Sequence, residues 1–134
     1  MKFVDTNIFL RFLINDDPQK SNACEALFEK AVNGEEVLFT TDMVIAEIIW
    51  VLESYYEVDK KSVCEMVEKI LNTDNLVCSG KEIIISALTT YREKNIDYID
   101  AYNAFTIKIN GIHELYSYDK QCDRMKWLNR IEPE

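Results

Sequence analysis

Short apolar runs alternate along the chain with longer stretches in which apolar residues recur every three or four positions. The short runs have the length of buried strands, and the longer ones have the 3.6-residue period of helices that bury one face. Residues 2–5 (KFVD) read as a strand, followed by a helical segment from Asn7 to about Ile14. In NDDPQKS, Asp17 is placed to cap a helix and Pro18 to occupy its first position. That helix is expected to run to about Asn33, with Gly34 at its C-terminal end.

Residues 37–40 (VLFT) form the next strand candidate. Thr41 or Asp42 can then cap a long helix, MVIAEIIWVLESYY, which is apolar nearly all round and therefore expected to be buried. Asp59 is placed to cap a further helix in which Val63, Met66, Val67, Ile70 and Leu71 recur at helical spacing. Residues 76–78 (LVC) suggest a short strand, and Ile83, Ile84, Ala87, Leu88 and Tyr91 mark another helix. IDYIDAYNAFTIKIN forms the next helix, ended by Gly111, and Leu115–Tyr118 a last core strand. The remaining residues are expected to hold a turn or short helix and an edge strand.

Strands that alternate with helices imply a parallel sheet covered on both faces. The expected fold is α/β, a three-layer α/β/α sandwich around a central, mostly parallel sheet. At 134 residues, with three Gly, two Pro and no low-complexity stretch, the expectation is one domain spanning residues 1–134. No apolar run is long enough for a transmembrane helix, and the first residues lack the basic and apolar regions of a signal peptide. A cytoplasmic protein is expected.

Composition narrows the chemistry. Four cysteines (Cys24, Cys64, Cys78, Cys122) are scattered without a C-x-x-C pair, which argues against a disulfide framework or a zinc site. Histidine occurs once, at His113, ahead of an apolar strand, where a surface or edge position explains it better than catalysis. With 24 acidic and 15 basic residues the net charge is −9, which disfavours long-range attraction to nucleic acid. Bound divalent cations would reverse that sign locally, so a nuclease is not excluded.

Four acids stand out by position. Asp5 ends the first strand, and Asp119 follows the strand at Leu115–Tyr118. Ligands of open parallel sheets sit beyond the carboxyl ends of the strands, which is where both acids fall. Glu47 lies between Ile45-Ala46 and Ile48-Ile49-Trp50, and Asp100 between Tyr98-Ile99 and Ala101-Tyr102, each in a setting expected to bury it. The plain alternative is a cap or a solvated carboxylate. A cap explains Asp5 only if a helix starts at Thr6, and it competes with a ligand role at Asp100 and Asp119. Clustered carboxylates without bases raise one another's pKa, and a hard cation with oxygen ligands, chiefly Mg²⁺ or Mn²⁺, settles such a cluster. A metal held by carboxylates suits phosphoryl chemistry without a serine, cysteine or histidine nucleophile.

The motifs VDTNIFLRFLINDDP, TTDMVIAEIIWVLESYYEVDK, IDYIDAYNAF and LYSYDK, in this order, resemble PIN-domain nucleases and among them the VapC-type toxins of toxin–antitoxin pairs. The resemblance covers nearly the whole chain. It implies a metal-dependent endoribonuclease with Asp5, Glu47, Asp100 and Asp119 as catalytic, metal-binding acids. It also implies support of the site by Thr6, Asn7 and Ser117, and Mg²⁺ or Mn²⁺ as cofactor. The partners implied are an RNA substrate, a cognate antitoxin and a second copy in a homodimer. Asp97 and Asp123 stay open as further ligands, because each shares a face with a core acid only if its segment is helical. Arg11 either contacts phosphate or pairs with Asp16 or Asp17. Trp127 is read as an interface residue or a lid on the core.

The competing reading from a different class is a catalytically weak PIN-like module that binds RNA or protein. Phosphatase and phospho-acceptor domains of doubly wound type fit poorly. The former want a second aspartate where Asn7 stands, and the latter want paired acids after the first strand.

Overall fold

The computed structural model describes residues 1–134. The chain forms two compact units, Met1–Lys81 and Glu82–Glu134. The first holds β1 (Lys2–Phe3), α1 (Thr6–Leu13), α2 (Pro18–Val32), β2 (Leu38–Thr40), α3 (Asp42–Ser54), α4 (Lys60–Leu71) and β3 (Leu76–Cys78). The second holds α5 (Lys81–Lys94), which starts at the boundary, then α6 (Tyr98–Ile109), β4 (Glu114–Tyr116), a 3-10 turn (Lys120–Arg124) and β5 (Asn129–Ile131). Every strand pair is parallel, so the class is α/β, as the alternation implies.

In the first unit the strand order is β1-β2-β3. Lys2, Leu38 and Leu76 stand in one row, and Phe3, Phe39 and Val77 in the next. Successive side chains point to opposite faces, and the two rows differ accordingly. Leu38 and Leu76 are buried with Val4 and Thr40, whereas Phe3 and Val77 are exposed. α1 packs on α2 and α3, α3 on α4, and α4 on β3. Phe9 stacks on Phe28 at 5.4 Å between centroids, and Phe12 meets the same ring at 4.8 Å. Phe9, Ile45, Ile48, Leu52, Val63 and Val67 are fully buried, which removes water from the apolar face of each helix. Each such side chain contributes about 1.5–3 kcal/mol.

The helix starts follow the capping residues. Asp17 accepts from the Lys20 N–H with Pro18 in the first turn, Thr41 accepts from Val44, and Asp59 from Ser62. Of the two candidates for the third cap, Thr41 is the one used. Gly34 and Gly111 have φ of +80° and +72°, the left-handed region that ends a helix at little cost to glycine.

Several boundaries differ from the expectation. β1 stops at Phe3, although the Val4 N–H still donates to Phe39 C=O at 2.8 Å. The first helix begins at Thr6 rather than Asn7, and β4 ends at Tyr116 rather than Tyr118. α3 is not buried all round. Ile45, Ile48, Ile49 and Leu52 face inward, while Met43, Glu47 and Trp50 share an outward face, with Met43 77% and Trp50 69% exposed. An apolar majority by count does not distribute itself evenly around a helix.

In the second unit α6 buries Tyr98, Ala101 and Ala104, and the two alanines allow close approach. Ile84, Leu88, Tyr91, Cys122, Met125 and Leu128 are buried as well. Phe105 and Trp127 lie 5.8 Å apart, with the Lys108 ammonium 4.8 Å above the indole. Trp127 thus packs against Phe105 of α6. The tail forms the expected short helix and strand, with β5 in register on β4. All four cysteines are free thiols, and Cys24, Cys64 and Cys122 are buried. No helix is long and apolar enough to cross a membrane.

Candidate metal centre

In the first unit, Asp5 ends the β1 segment and serves as N-cap of α1, its carboxylate accepting from the Thr6 N–H at 2.7 Å. The condition under which a cap accounts for this acid is therefore met. Asp5 is exposed, not buried, and so is Glu47 on the outward face of α3. The burial expected for Glu47 does not occur. Apolar neighbours in sequence lie about 100° away around a helix and do not enclose the charge.

The ends of β1 and β2 are tied beside Asp5. The Thr40 hydroxyl donates to Val4 C=O at 3.0 Å, and Thr40 is 0% exposed. This bond fixes the strand end that carries Asp5 against the strand that leads, through the Thr41 cap, into the Glu47 helix. Nothing in the local pattern distinguishes Thr40 from an ordinary strand threonine. Thr6 is buried and meets Asp5 through its backbone amide. Asn7 is exposed and lines a cleft with Ile8, Arg11, Lys20, Ala23 and Cys24. Arg11 pairs with Asp16 at 3.1 Å, the salt-bridge alternative.

The second unit gathers acids closely. Asp97, Asp100 and Asp119 each offer a carboxylate oxygen, and these oxygens lie within 4.8 Å of one another. Asp97 is the N-cap residue of α6 but makes no side-chain cap bond, and Asp100 lies in the helix's first turn. A cap role therefore does not explain Asp100. Asp119 is the N-cap of the 3-10 turn, where its Oδ1 accepts from the Gln121 N–H at 3.0 Å. Its own N–H donates to Ser117 Oγ at 3.0 Å, a bond within the turn that carries Asp119.

Burial, then a hydrogen bond with Asp119 and the charges of Asp119 and Asp97, push the Asp100 carboxyl up from an ordinary 3.8 to about 6. Behind the trio, burial and the same Asp100 and Asp119 charges raise the Cys122 thiol. That thiol is a small buried hydrophobe rather than a nucleophile.

Of the two acids left open, Asp97 belongs to this cluster and Asp123 does not. Asp123 forms a two-pronged pair with Arg130, at 2.9 Å to Nε and 3.3 Å to Nη2. The signal for Asp97 is its spacing three residues before Asp100, which brings the two together because the helix begins at that point. The donor set is three carboxylates, hard oxygen donors without sulfur or imidazole, and that chemistry fits Mg²⁺ or Mn²⁺. Burial and, after it, the charges of Asp119 and Asp97 both disfavour the ionised form of Asp100.

A curated VapC ribonuclease of Aquifex aeolicus (strain VF5) is 29% identical over 134 residues, covering 98% of each chain. A crystal structure of Mycobacterium tuberculosis VapC20, titled a sarcin-ricin loop cleaving toxin, is 14% identical with a TM-score of 0.42. It covers 99% of this chain and 100% of that one. The PIN domain family model matches residues 2–128, a span that includes all of the acids described above, and the chain belongs to the PIN domain family.

Proposed function

We propose that this chain is a divalent-metal-dependent endoribonuclease, the VapC-type toxin of a type II toxin–antitoxin system. Residues 1–134 act as one nuclease domain in the cytoplasm, as a homodimer, against an RNA substrate and under control of a cognate antitoxin. Asp5, Glu47, Asp100 and Asp119 are the catalytic, metal-binding carboxylates, with Asp97 added to the set. The observation that carries this reading is the trio of carboxylates in the second unit, whose oxygens lie within 4.8 Å of one another. Similarity to a curated VapC ribonuclease supports the choice of RNA.

A bound Mg²⁺ or Mn²⁺ ion would supply a Lewis acid and a water activated at neutral pH. The chain's own residues do the rest. Asp97, Asp100 and Asp119 would hold the ion, with Asp119 kept in place by the Gln121 N–H and the Ser117 hydroxyl. Above about pH 6 Asp100 gives up its proton and faces Asp119 and Asp97 as a carboxylate, which favours an oxygen-seeking cation over none. Asp5, with one oxygen on the Thr6 amide, keeps its other for a ligand. Thr6 and Asn7 support that position, and the buried Thr40–Val4 bond holds its backbone.

Purified protein is expected to cleave RNA with Mg²⁺ or Mn²⁺ and to stop on chelation. Asp5→Asn is the informative variant, because asparagine caps helices as well as aspartate does. It should abolish cleavage while circular dichroism and the melting temperature stay unchanged. Cleavage at the wild-type rate by Asp5→Asn would overturn the role given to Asp5.

A further inference from the structure

We infer that Gln121 is the positioning residue of the acidic trio, an inference that rests on reading Asp97, Asp100 and Asp119 as a metal site. The trio is assembled from two segments far apart in sequence, the start of α6 and the turn after β4. Gln121 touches both. Its backbone N–H donates to Asp119 Oδ1 at 3.0 Å, and its carboxamide Oε1 accepts from the Asp97 N–H at 3.1 Å, 24 residues away. One half-buried residue therefore bridges the helix start and the turn that presents Asp119.

The chemistry explains why a glutamine suits this place. The first amides of a helix have no partner within the helix and need an acceptor. The Asp97 carboxylate makes no cap bond of its own, so it is left to the cluster while Gln121 meets the backbone. A neutral acceptor does this without adding a fourth charge beside the three carboxylates. Groups that hold ligands in geometry typically change metal affinity about 10–100-fold when removed. A second link runs from the same 3-10 turn, since the Arg124 guanidinium donates to the Lys94 and Asn95 carbonyls. Arg124 touches no carboxylate of the trio in these bonds and provides the structural control.

The test is calorimetric titration of the full-length protein with MnCl₂, beside amide hydrogen exchange at Asp97 in the metal-free state. Gln121→Met keeps the side-chain length and removes the acceptor; Gln121→Ala removes both; Gln121→Glu restores the acceptor. The Met and Ala variants are expected to bind Mn²⁺ about tenfold or more weakly and to exchange the Asp97 amide faster. Gln121→Glu, which keeps the acceptor but adds a charge, should keep the Asp97 amide slow to exchange, and Arg124→Ala should lower the melting temperature more than the affinity. Wild-type affinity in Gln121→Met with wild-type binding intact would overturn this inference alone. Absence of Mn²⁺ binding by the wild type would overturn the metal reading of the trio and this inference with it.

Discussion

Asp5 and Asp100 stand among similar apolar neighbours in sequence, yet their surroundings differ. Asp5 sits at a helix start in the first unit, exposed and occupied by a single backbone amide. Asp100 sits half-buried in the second unit, hydrogen-bonded to Asp119 and facing the charge of Asp97, and it holds its proton to about pH 6. The contrast teaches that flanking hydrophobic residues say little about a carboxylate's state. What matters is whether other carboxylates share its space and how much water remains to screen them.

The largest effects that test this comparison are on cleavage. Asp119→Asn keeps an oxygen for the Gln121 amide but halves the charge shared with Asp100, and Asp100→Asn removes the proton-holding group outright. Each is expected to lower the RNA cleavage rate at least about 100-fold at saturating Mn²⁺, read by single-turnover assay, since electrostatic groups at a reacting centre contribute on this scale. A loss of less than tenfold in both would remove the trio from the catalytic site.

Next in size is the buried clamp beside Asp5. Thr40→Val keeps the shape and leaves the Val4 carbonyl without its donor in a dry setting. Denaturant unfolding should show a loss of about 1–3 kcal/mol. Asp5→Ala should cost about 1 kcal/mol through loss of the cap, and Asp5→Asn close to nothing. Equal losses from Ala and Asn would show that the α1 cap is not what Asp5 contributes to stability.

The smallest expected effect is the pH dependence of the metal-free protein. The folded-state pKa of Asp100 is raised, so the folded chain binds the proton more tightly than the unfolded chain between about 4 and 6. This group therefore adds stability as the pH falls through about 6, in full below its ordinary 3.8, and loses it as the pH rises. Asp59 and Asp123, whose carboxyls are held low by Ser62 and Arg130, act in the opposite sense at lower pH. The melting temperature of wild type should fall between about pH 4 and 6 relative to that of Asp100→Asn. Parallel curves for the two would sink the raised carboxyl.

Much of the scaffold was legible in residue order because the caps are local. Asp17-Pro18, Thr41 and Asp59 carry their own signal, and each bonds an amide within three residues. Ser117 entered through the family resemblance rather than a local signal, although its partner is only two residues away. Exposure was not legible. Glu47 reads as buried among isoleucines, but the helical turn places it with Met43 and Trp50 on the outward face. Asp97 depended on where α6 begins, a boundary that local propensity defines poorly. Thr40 and Gln121 were silent because their partners, Val4 and Asp97, lie 36 and 24 positions away.

The proton on Asp100 has a thermodynamic consequence for any cation that enters. Near pH 6 Asp100 is still partly protonated, and a cation that takes the carboxylate must expel that proton into the buffer. Heats of binding measured at that pH would then differ between buffers of high and low ionisation enthalpy, whereas at pH 8 they would coincide. The difference counts the protons released, and it distinguishes an ion seated among these carboxylates from one attracted to the acidic surface at large.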